Sequence, residues 1–248
     1  MIQTIKQKFR HLVPSGTEMR RLRSMGLNHI GLALSREPAI FCEKPSLRLI
    51  SVFPFLVQQI AGDVERIAFN QVGVLDGSDA CDLTKILEGR RYSGAMVEPQ
   101  PRQFQQLVQN WENTPGLHFF NEAIDVASGE RVLYLPPTGE SVVASFCKEH
   151  LLKSGYRNQE IREILVQCNT LSSVADRAGL ERVEVLQLDA EGYDHKIIQS
   201  IEFDRIRPKL IRFEMFYLSK ADLRETIPFL ATHDYQFCCE DRDLIAVA

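Results

Sequence analysis

Polar and glycine residues follow four short apolar runs of this sequence, at the points where the strands of a sheet would end. Glycines at such a point allow a tight turn and a close approach of the backbone to a ligand. A carboxylate there can accept both hydroxyls of a ribose, and an amide side chain can read the edge of an adenine. Together these residue types predict a site for a nucleoside. The residues are Gln71, Gly73, Asp76 and Gly77 after the first run, Glu98 after the second, Asn121 and Glu122 after the third, and Asp189 and Glu191 after the fourth.

Two common phosphate-binding motifs are missing from the sequence. It contains neither the GxxxxGK[ST] loop of nucleoside triphosphate-binding proteins nor the GxGxxG fingerprint of dinucleotide-binding folds. The first turn carries Asp76 instead, and a carboxylate suits a positively charged ligand better than a pyrophosphate. A nicotinamide oxidoreductase is therefore a weaker alternative than a protein that binds a cationic nucleoside.

The elements that must position these residues alternate between strand and helix from residue 66 onwards. This alternation predicts βαβ units and an α/β fold with a doubly wound, mostly parallel sheet. In such a sheet, ligands bind outside the carboxyl ends of the strands, where the strand order reverses. The predicted strands are 66–72, 93–98, 116–124, 130–135, 161–166, 183–188 and 209–216, with two closing strands around Phe237 and 244–247; the predicted helices are 79–90, 101–112, 146–154, 171–178, 195–201 and 220–233.

The first sixty residues differ from the rest because their apolar residues recur at helical spacing, as at Leu47, Ile50 and Phe53. We therefore predict a helical N-terminal segment over residues 1–60 and one Rossmann-like domain over residues 61–248. A chain of 248 residues, 44% of them hydrophobic, can form one substantial core.

The composition restricts the partners and the location of the protein. The formal net charge of −4 gives no reason to expect a nucleic-acid partner. No apolar run reaches the roughly 18 residues of a transmembrane helix. The N-terminus has no secretory signal pattern, and the six cysteines have no CxxC spacing. We expect reduced cysteines and a cytoplasmic protein.

Several motifs resemble the FkbM family of S-adenosylmethionine-dependent methyltransferases. The most specific is the block from Asp189 to Asp194, with the sequence DAEGYD, which is followed by IRPKLIRFE ending at Glu214. Similar segments are residues 97–101, 121–124 and 144–146, with His150 after them. The resemblance runs from about residue 66 to the C-terminus. It implies a class I methyltransferase fold, S-adenosylmethionine as cofactor, and methyl transfer to an oxygen of a small-molecule or glycan acceptor.

The resemblance also implies a role for each strand-end residue. Glu98 would hold the ribose, and Asp189 would lie beside the sulfonium and the acceptor. Two further sets would bind the cofactor: Gly73, Asp76 and Gly77 at the methionine part, and Asn121 and Glu122 at the adenine. Gln71 would also bind the cofactor.

Three side chains are candidates for the chemistry of this reaction. Asp189 or His150 would take the proton of the acceptor hydroxyl as general base. Glu191 would position that hydroxyl or bind a divalent ion. Asp189, Glu191 and Glu214 offer oxygen ligands of the kind that magnesium prefers, although we assign no metal ligand from the sequence.

One departure from the family pattern keeps other functions open. Val74 and Leu75 stand where the family often has alanine and asparagine, and their branched side chains would narrow the methionine end of the pocket. A methyltransferase-like binding protein without turnover is therefore one alternative. A metal-dependent glycosyltransferase that uses Asp189 and Glu191 is another. The sequence names neither the acceptor nor the oligomeric state.

Overall fold

Two sheets and the helices around them make up the described part of the chain. The computed structural model describes residues 52–78, 82–240 and 242–248. The strands are β1 Ile67–Val72, β2 Tyr92–Val97, β3 Leu117–Phe120, β4 Ala123–Ile124, β5 Gly129–Leu135, β6 Arg162–Asn169, β7 Val185–Leu188, β8 Leu210–Glu214, β9 Gln236–Glu240 and β10 Asp243–Val247. The helices are α1 Val52–Gly62, α2 Asp82–Ile86, α3 Pro101–Trp111, α4 Lys148–Lys153, α5 Leu171–Arg177, α6 Asp194–Gln199 and α7 Lys220–Ala231, with a 3₁₀ turn at Asn158–Glu160.

The larger sheet has seven strands in the order β3-β2-β1-β7-β8-β10-β9. All its neighbouring strands are parallel except β10, which runs antiparallel to both β8 and β9. This topology confirms the predicted α/β fold with a doubly wound, mostly parallel sheet. The chain builds the sheet outward from β1 through β2 to β3, and then resumes at β7 on the other side of β1. The strand order therefore reverses between β1 and β7, which is where this class of sheet binds ligands.

Apolar side chains cover both faces of the central strands. All residues of β1 and β7 are buried, as expected for strands with helices on both faces. On one face, Leu171, Ile197 and Leu230 of α5, α6 and α7 belong to a cluster with Leu186 and Ile211 of the sheet. The other face is covered by the N-terminal helices, and that cluster includes Phe53 and Val57 of α1, Leu83 of α2, and Phe69 and Val185 of the sheet.

Local sequence signals set the start of several helices. The Ser219 hydroxyl accepts a hydrogen bond from the Asp222 N–H (3.1 Å), and the Asp222 carboxylate accepts one from the Ser219 N–H (2.8 Å). This reciprocal arrangement is a capping box, and α7 begins directly after it. Thr170 caps α5 in a simpler way, through its hydroxyl and the Ser173 N–H. The longest described helix has twelve residues, so no helix in the described ranges can cross a bilayer.

The predicted single strand over residues 116–124 is wrong. The structure has two strands there, β3 in the large sheet and β4 in a separate sheet with the order β4-β6-β5. The chain leaves the large sheet at Asn121, whose side-chain amide donates to the carbonyl oxygens of Glu98 (2.9 Å) and Pro99 (3.2 Å). The side chain of the next residue, Glu122, is buried in an ion pair with Arg177.

The other predicted strands and helices from residue 82 onwards are present with different bounds: β5, β6 and β10 are longer than predicted, β2 is shifted by one residue, and most of the rest are shorter. The predicted division at residue 60 falls within α1, which packs against the large sheet. Residues 1–51, which make up most of the predicted N-terminal segment, lie outside the described residues, so the division stays a prediction.

Candidate functional site

A pocket of about 330 Å³ lies at the carboxyl ends of the central strands. This volume falls in the range of about 300–1,000 Å³ that is typical of small-molecule sites. Strand ends form its floor, and the small sheet and the segments after β5 and β7 form its walls. The lining includes Gln71 of β1, Gly73 and Leu75 after β1, Glu98 after β2, Gln187, Asp189 and Glu191 at β7, Arg212 of β8, and Ala123, Ile124, Leu133, Ser145, Phe146 and Tyr193 around them.

Gly73 brings the ends of β1 and β7 together. Its φ angle is +77°, a backbone conformation that favours glycine. A Cβ atom at this position would lie 1.9 Å from the carbonyl oxygen of Asp189. The Asp189 N–H in turn donates to the carbonyl oxygen of Val72 (3.0 Å). No side chain fits at position 73 unless the two strand ends separate.

The Glu98 carboxylate reaches from the end of β2 to the turn after β1. Its Oε2 accepts from the Leu75 N–H (2.8 Å), and its Oε1 accepts from the backbone N–H (2.9 Å) and side-chain amide (3.1 Å) of Gln100. The side chain is almost fully buried, and this burial raises the pKa of Glu98 to about 7 against the opposing effect of its hydrogen bonds. Glu98 thus lines the pocket and also fixes the backbone of two other lining residues, Leu75 and Gln100.

Three residues of the first turn do not line the pocket. Asp76 accepts hydrogen bonds from the N–H (3.0 Å) and hydroxyl (2.7 Å) of Ser78. Gly77 lies against helix α3, where a Cβ atom would be 2.7 Å from the Trp111 indole nitrogen. Val74 is fully buried beside Met96 and Leu107. The prediction that Val74 narrows the pocket is therefore wrong, whereas Leu75 does line it.

The residues predicted for the adenine lie next to the pocket rather than in its lining. Asn121 is exposed and bonded to the end of β2, and Glu122 is engaged by Arg177 and by the Asn169 amide (2.8 Å). The two following residues, Ala123 and Ile124, line the pocket instead. The cofactor roles of Asn121 and Glu122 stay predictions.

Three carboxylates meet at the ends of β7 and β8. Each of Asp189, Glu191 and Glu214 offers an oxygen that lies within 4.8 Å of the other two. Desolvation is the largest cause of the raised pKa of each carboxyl, and repulsion from neighbouring carboxylates adds to it. The pKa is about 6 for Asp189, about 8 for Glu191 and about 9 for Glu214.

His150 lies behind Glu191 and outside the pocket lining. Its Nε2 is 3.1 Å from Glu191 Oε2, and its ring packs edge-on against Tyr217 with centroids 4.3 Å apart. Burial lowers the pKa of His150, so both partners of the contact favour their uncharged forms at neutral pH. The Ser145 hydroxyl donates to the backbone carbonyl of Glu191 (2.8 Å) and fixes this loop. His150 can therefore act on the pocket through Glu191.

Two lining residues, Gln187 and Arg212, were not predicted from the sequence, whereas their neighbour Gln71 was. Gln71, Gln187 and Arg212 lie side by side across β1, β7 and β8, because Gln71 pairs with Gln187 and Gln187 pairs with Arg212. The available signal was a long polar residue inside each of three otherwise apolar strands.

An aromatic wall of the pocket was also missed. The Arg131 guanidinium contacts the rings of Phe146 (4.6 Å) and Tyr193 (4.7 Å) and forms an ion pair with Asp125 (2.9 Å). The Tyr193 hydroxyl donates to the same Asp125 carboxylate (2.6 Å). These contacts join residues that are far apart in sequence, so sequence spacing could not reveal them.

Comparison with known proteins agrees with the fold. The family model for the methyltransferase FkbM domain matches residues 71–237, well over half of the chain. No curated protein matches the sequence. A crystal structure of methyltransferase FkbM from Methylobacillus flagellatus KT aligns with a TM-score of 0.51 and 12% identity, over 74% of this chain and 44% of that chain. This chain therefore spans less than half the length of that protein, and the likeness concerns the fold alone.

A second solved structure is more distant. Precorrin-6y C5,15-methyltransferase from Geobacter metallireducens GS-15 aligns over 82% of both chains, with 11% identity and a TM-score of 0.37. A likeness at that level supports no argument about this chain. The family match and the sheet topology together confirm the predicted Rossmann-like class I methyltransferase fold.

Proposed function

Because this chain belongs to the FkbM methyltransferase domain family, we propose that it methylates a hydroxyl oxygen of a sugar, glycan or other small-molecule acceptor. The family implies methyltransferase activity with S-adenosylmethionine as the donor. The oxygen acceptor and the residue roles below are the parts that we propose.

The residues of the pocket fit a cationic nucleoside. Glu98 supplies a buried carboxylate with lone pairs for ribose hydroxyls, at the end of the strand that neighbours β1. Asp189 and Glu191 add acidic groups where a positively charged sulfonium would be favoured over a phosphate. Gly73 lets the ends of β1 and β7 meet at the floor of the pocket, where the strand order reverses. The polarity of the pocket therefore supports a cationic nucleoside as the donor.

The side chains at the end of β7 suit proton removal from a hydroxyl. When bound, S-adenosylmethionine supplies a methyl carbon activated by its sulfonium, and the protein contributes orientation and a proton acceptor. Asp189 is exposed to the pocket and has a pKa of about 6, so it is mainly ionised at neutral pH and can act as general base. Glu191, with a pKa of about 8, mostly keeps its proton and can position the hydroxyl by donating a hydrogen bond. His150 is a positioning residue that acts through Glu191.

One observation carries this proposal. Gly73, Glu98 and Asp189 follow three strands of the sheet and line one pocket, at the place where the strand order reverses. The fourth residue of the predicted arrangement, Asn121, lies beside them and is bonded to the backbone carbonyl of Glu98.

A methyl-labelling experiment tests the acceptor class. The purified chain would be incubated with S-adenosylmethionine labelled in its methyl group and with a panel of sugars, sugar nucleotides, oligosaccharides and amine-containing controls. We expect S-adenosylhomocysteine to form and the label to appear as a methyl ether on a hydroxyl oxygen. Label found on nitrogen or carbon alone would contradict an oxygen acceptor. An Asp189→Asn variant, run in parallel, should form far less product.

A further inference from the structure

The carboxylates of Asp189, Glu191 and Glu214 form a compact group at the edge of the pocket. We propose that this group binds a hard divalent cation of the magnesium or calcium type. The proposal concerns metal binding by the protein itself and does not depend on the acceptor. It rests on the spacing of the three oxygens, on an unpartnered buried oxygen, and on the charges that surround the group.

The spacing of the oxygens suits a single ion. Each of the three residues offers one oxygen, and these oxygens all lie within 4.8 Å of one another. Oxygens on opposite sides of an ion are separated by about 4.2 Å for Mg²⁺ and about 4.8 Å for Ca²⁺, twice the usual metal–oxygen distance. One ion can therefore contact all three residues with only small side-chain movements.

Glu214 provides the second, independent observation. Its side chain is only 9% exposed, and its Oε2 has no hydrogen-bond partner among the described residues. A buried carboxyl oxygen without a hydrogen-bond partner is costly, because it loses its water and gains nothing in return. This oxygen belongs to the residue that completes the group with Asp189 and Glu191. A bound cation would satisfy it.

Further acidic side chains surround the group. Asp194 and Asp243 also act on Glu214 and add to the repulsion. Two arginines are near enough to oppose the rise in the pKa of Asp189 and Glu191, but each guanidinium has another contact. Arg212 is bonded through Nε (2.8 Å) and Nη2 (2.6 Å) to Asp243, and Arg242 lies over the ring of Phe216 (4.6 Å). Neither arginine forms an ion pair with the three carboxylates in the described structure.

The backbone holds the three residues in place. Glu214 is the last residue of β8, and Asp189 directly follows β7, its parallel neighbour. Glu191 has a φ angle of +49°, a left-handed conformation that is uncommon for a residue with a side chain. The Ser145 hydroxyl holds its carbonyl (2.8 Å). The fold thus maintains an unusual backbone at the residue that brings the third carboxylate to the group.

A direct titration tests the site. The full chain, freed of metal with EDTA and exchanged into chelator-free buffer, would be titrated with MgCl₂, CaCl₂ and MnCl₂ by calorimetry and by thermal unfolding. We expect one saturable site and, at about 100 times the dissociation constant, a rise in Tm of roughly 5 °C or more. Glu214→Gln should weaken binding by about tenfold or more, because it removes a charged ligand. Glu130→Gln is the matched control. Glu130 is an exposed carboxylate on the small sheet, where it accepts a hydrogen bond from the Gln167 amide (2.6 Å). Its loss should leave the metal affinity and the metal-induced rise in Tm unchanged.

Two results would overturn the site. If none of the three ions produces heat or a rise in Tm, the proposed metal site is excluded. Equal metal binding by Glu214→Gln and wild type would exclude it as well. Asp189→Asn serves as the second variant if Glu214→Gln does not fold. Titration with S-adenosylhomocysteine separates this inference from the proposed function. Nucleoside binding without metal binding removes the metal site alone, and metal binding without nucleoside binding removes the proposed function alone.

Discussion

The α-carbon of Gly73 faces the carbonyl oxygen of Asp189 so closely that an added Cβ atom would lie 1.9 Å from it. This contact joins the first residue after β1 to the first residue after β7, at the place where the strand order of the sheet reverses. The floor of the pocket therefore depends on the absence of a side chain at one position.

Gly73→Ala should destabilise the protein and abolish nucleoside binding, because the strand ends must separate to admit the methyl group. Gly89→Ala is the matched control, since Gly89 has the same φ of +77° but no heavy atom within 4 Å of its added Cβ. Both variants incur the strain of a left-handed alanine, about 1–2 kcal/mol, and only Gly73→Ala adds the clash. Chemical denaturation and S-adenosylhomocysteine titration measure the two effects. Equal losses of stability in the two variants would show that the contact with Asp189 is unimportant.

Glu98→Ala should weaken S-adenosylhomocysteine binding by about 1–3 kcal/mol, the usual cost of an unpaired buried polar partner. Glu184→Ala controls for the loss of a buried carboxylate. Glu184 is also buried and accepts from a backbone N–H, that of Ala68 (2.7 Å), but it directly precedes β7 at the opposite end of the sheet. Its loss should lower stability and leave affinity unchanged. Calorimetry with unchanged affinity in Glu98→Ala would mean that the ribose is held elsewhere.

Asp189→Asn should lower turnover by about 10²–10⁴-fold, the usual contribution of a general base. Affinity for S-adenosylhomocysteine should change little, because this ligand carries no sulfonium charge and asparagine keeps the shape of the side chain. Steady-state kinetics with the acceptor found by methyl labelling, together with S-adenosylhomocysteine titration, separate the two quantities. Parallel losses of turnover and affinity would assign Asp189 a structural role.

Glu214→Gln should make the metal-free protein more stable than wild type at alkaline pH. The pKa of Glu214 is raised from 4.5 to about 9, so between these values the folded state binds more protons than the unfolded state. The free energy of unfolding of the wild type should therefore fall, relative to the variant, as the pH rises from about 5 to about 9. Thermal unfolding in EDTA at several pH values measures this difference. A difference that does not vary with pH would contradict the assigned protonation.

The sheet and the strand-end residues that line the pocket could be predicted from the sequence, because both depend on local patterns. The apolar runs at β1, β2 and β7 identify buried strands, and Gly73, Glu98 and Asp189 stand directly after them. A break after Phe120 was missed because residues 116–124 contain no proline or glycine between the two strands. What separates them is tertiary: the Asn121 amide bonds to the end of β2, and the buried Glu122 pairs with Arg177.

The walls of the pocket could not be predicted in the same way. Val74 and Leu75 are neighbours with similar side chains, yet Val74 packs into a buried cluster and Leu75 lines the pocket. The positive φ of Leu75, +52°, redirects the chain between them. Likewise, Arg131, Phe146 and Tyr193 meet only after the small sheet folds over the strand ends.

Calorimetric titration of the wild-type chain with S-adenosylhomocysteine tests the central claim most directly. The arrangement of Gly73, Glu98 and Asp189 predicts saturable binding to one site, and no stabilisation by a nucleotide sugar with Mn²⁺ beyond that given by Mn²⁺ alone. Absence of binding by S-adenosylhomocysteine, together with stabilisation by the nucleotide sugar and Mn²⁺, would contradict it and would indicate a glycosyltransferase-like site instead.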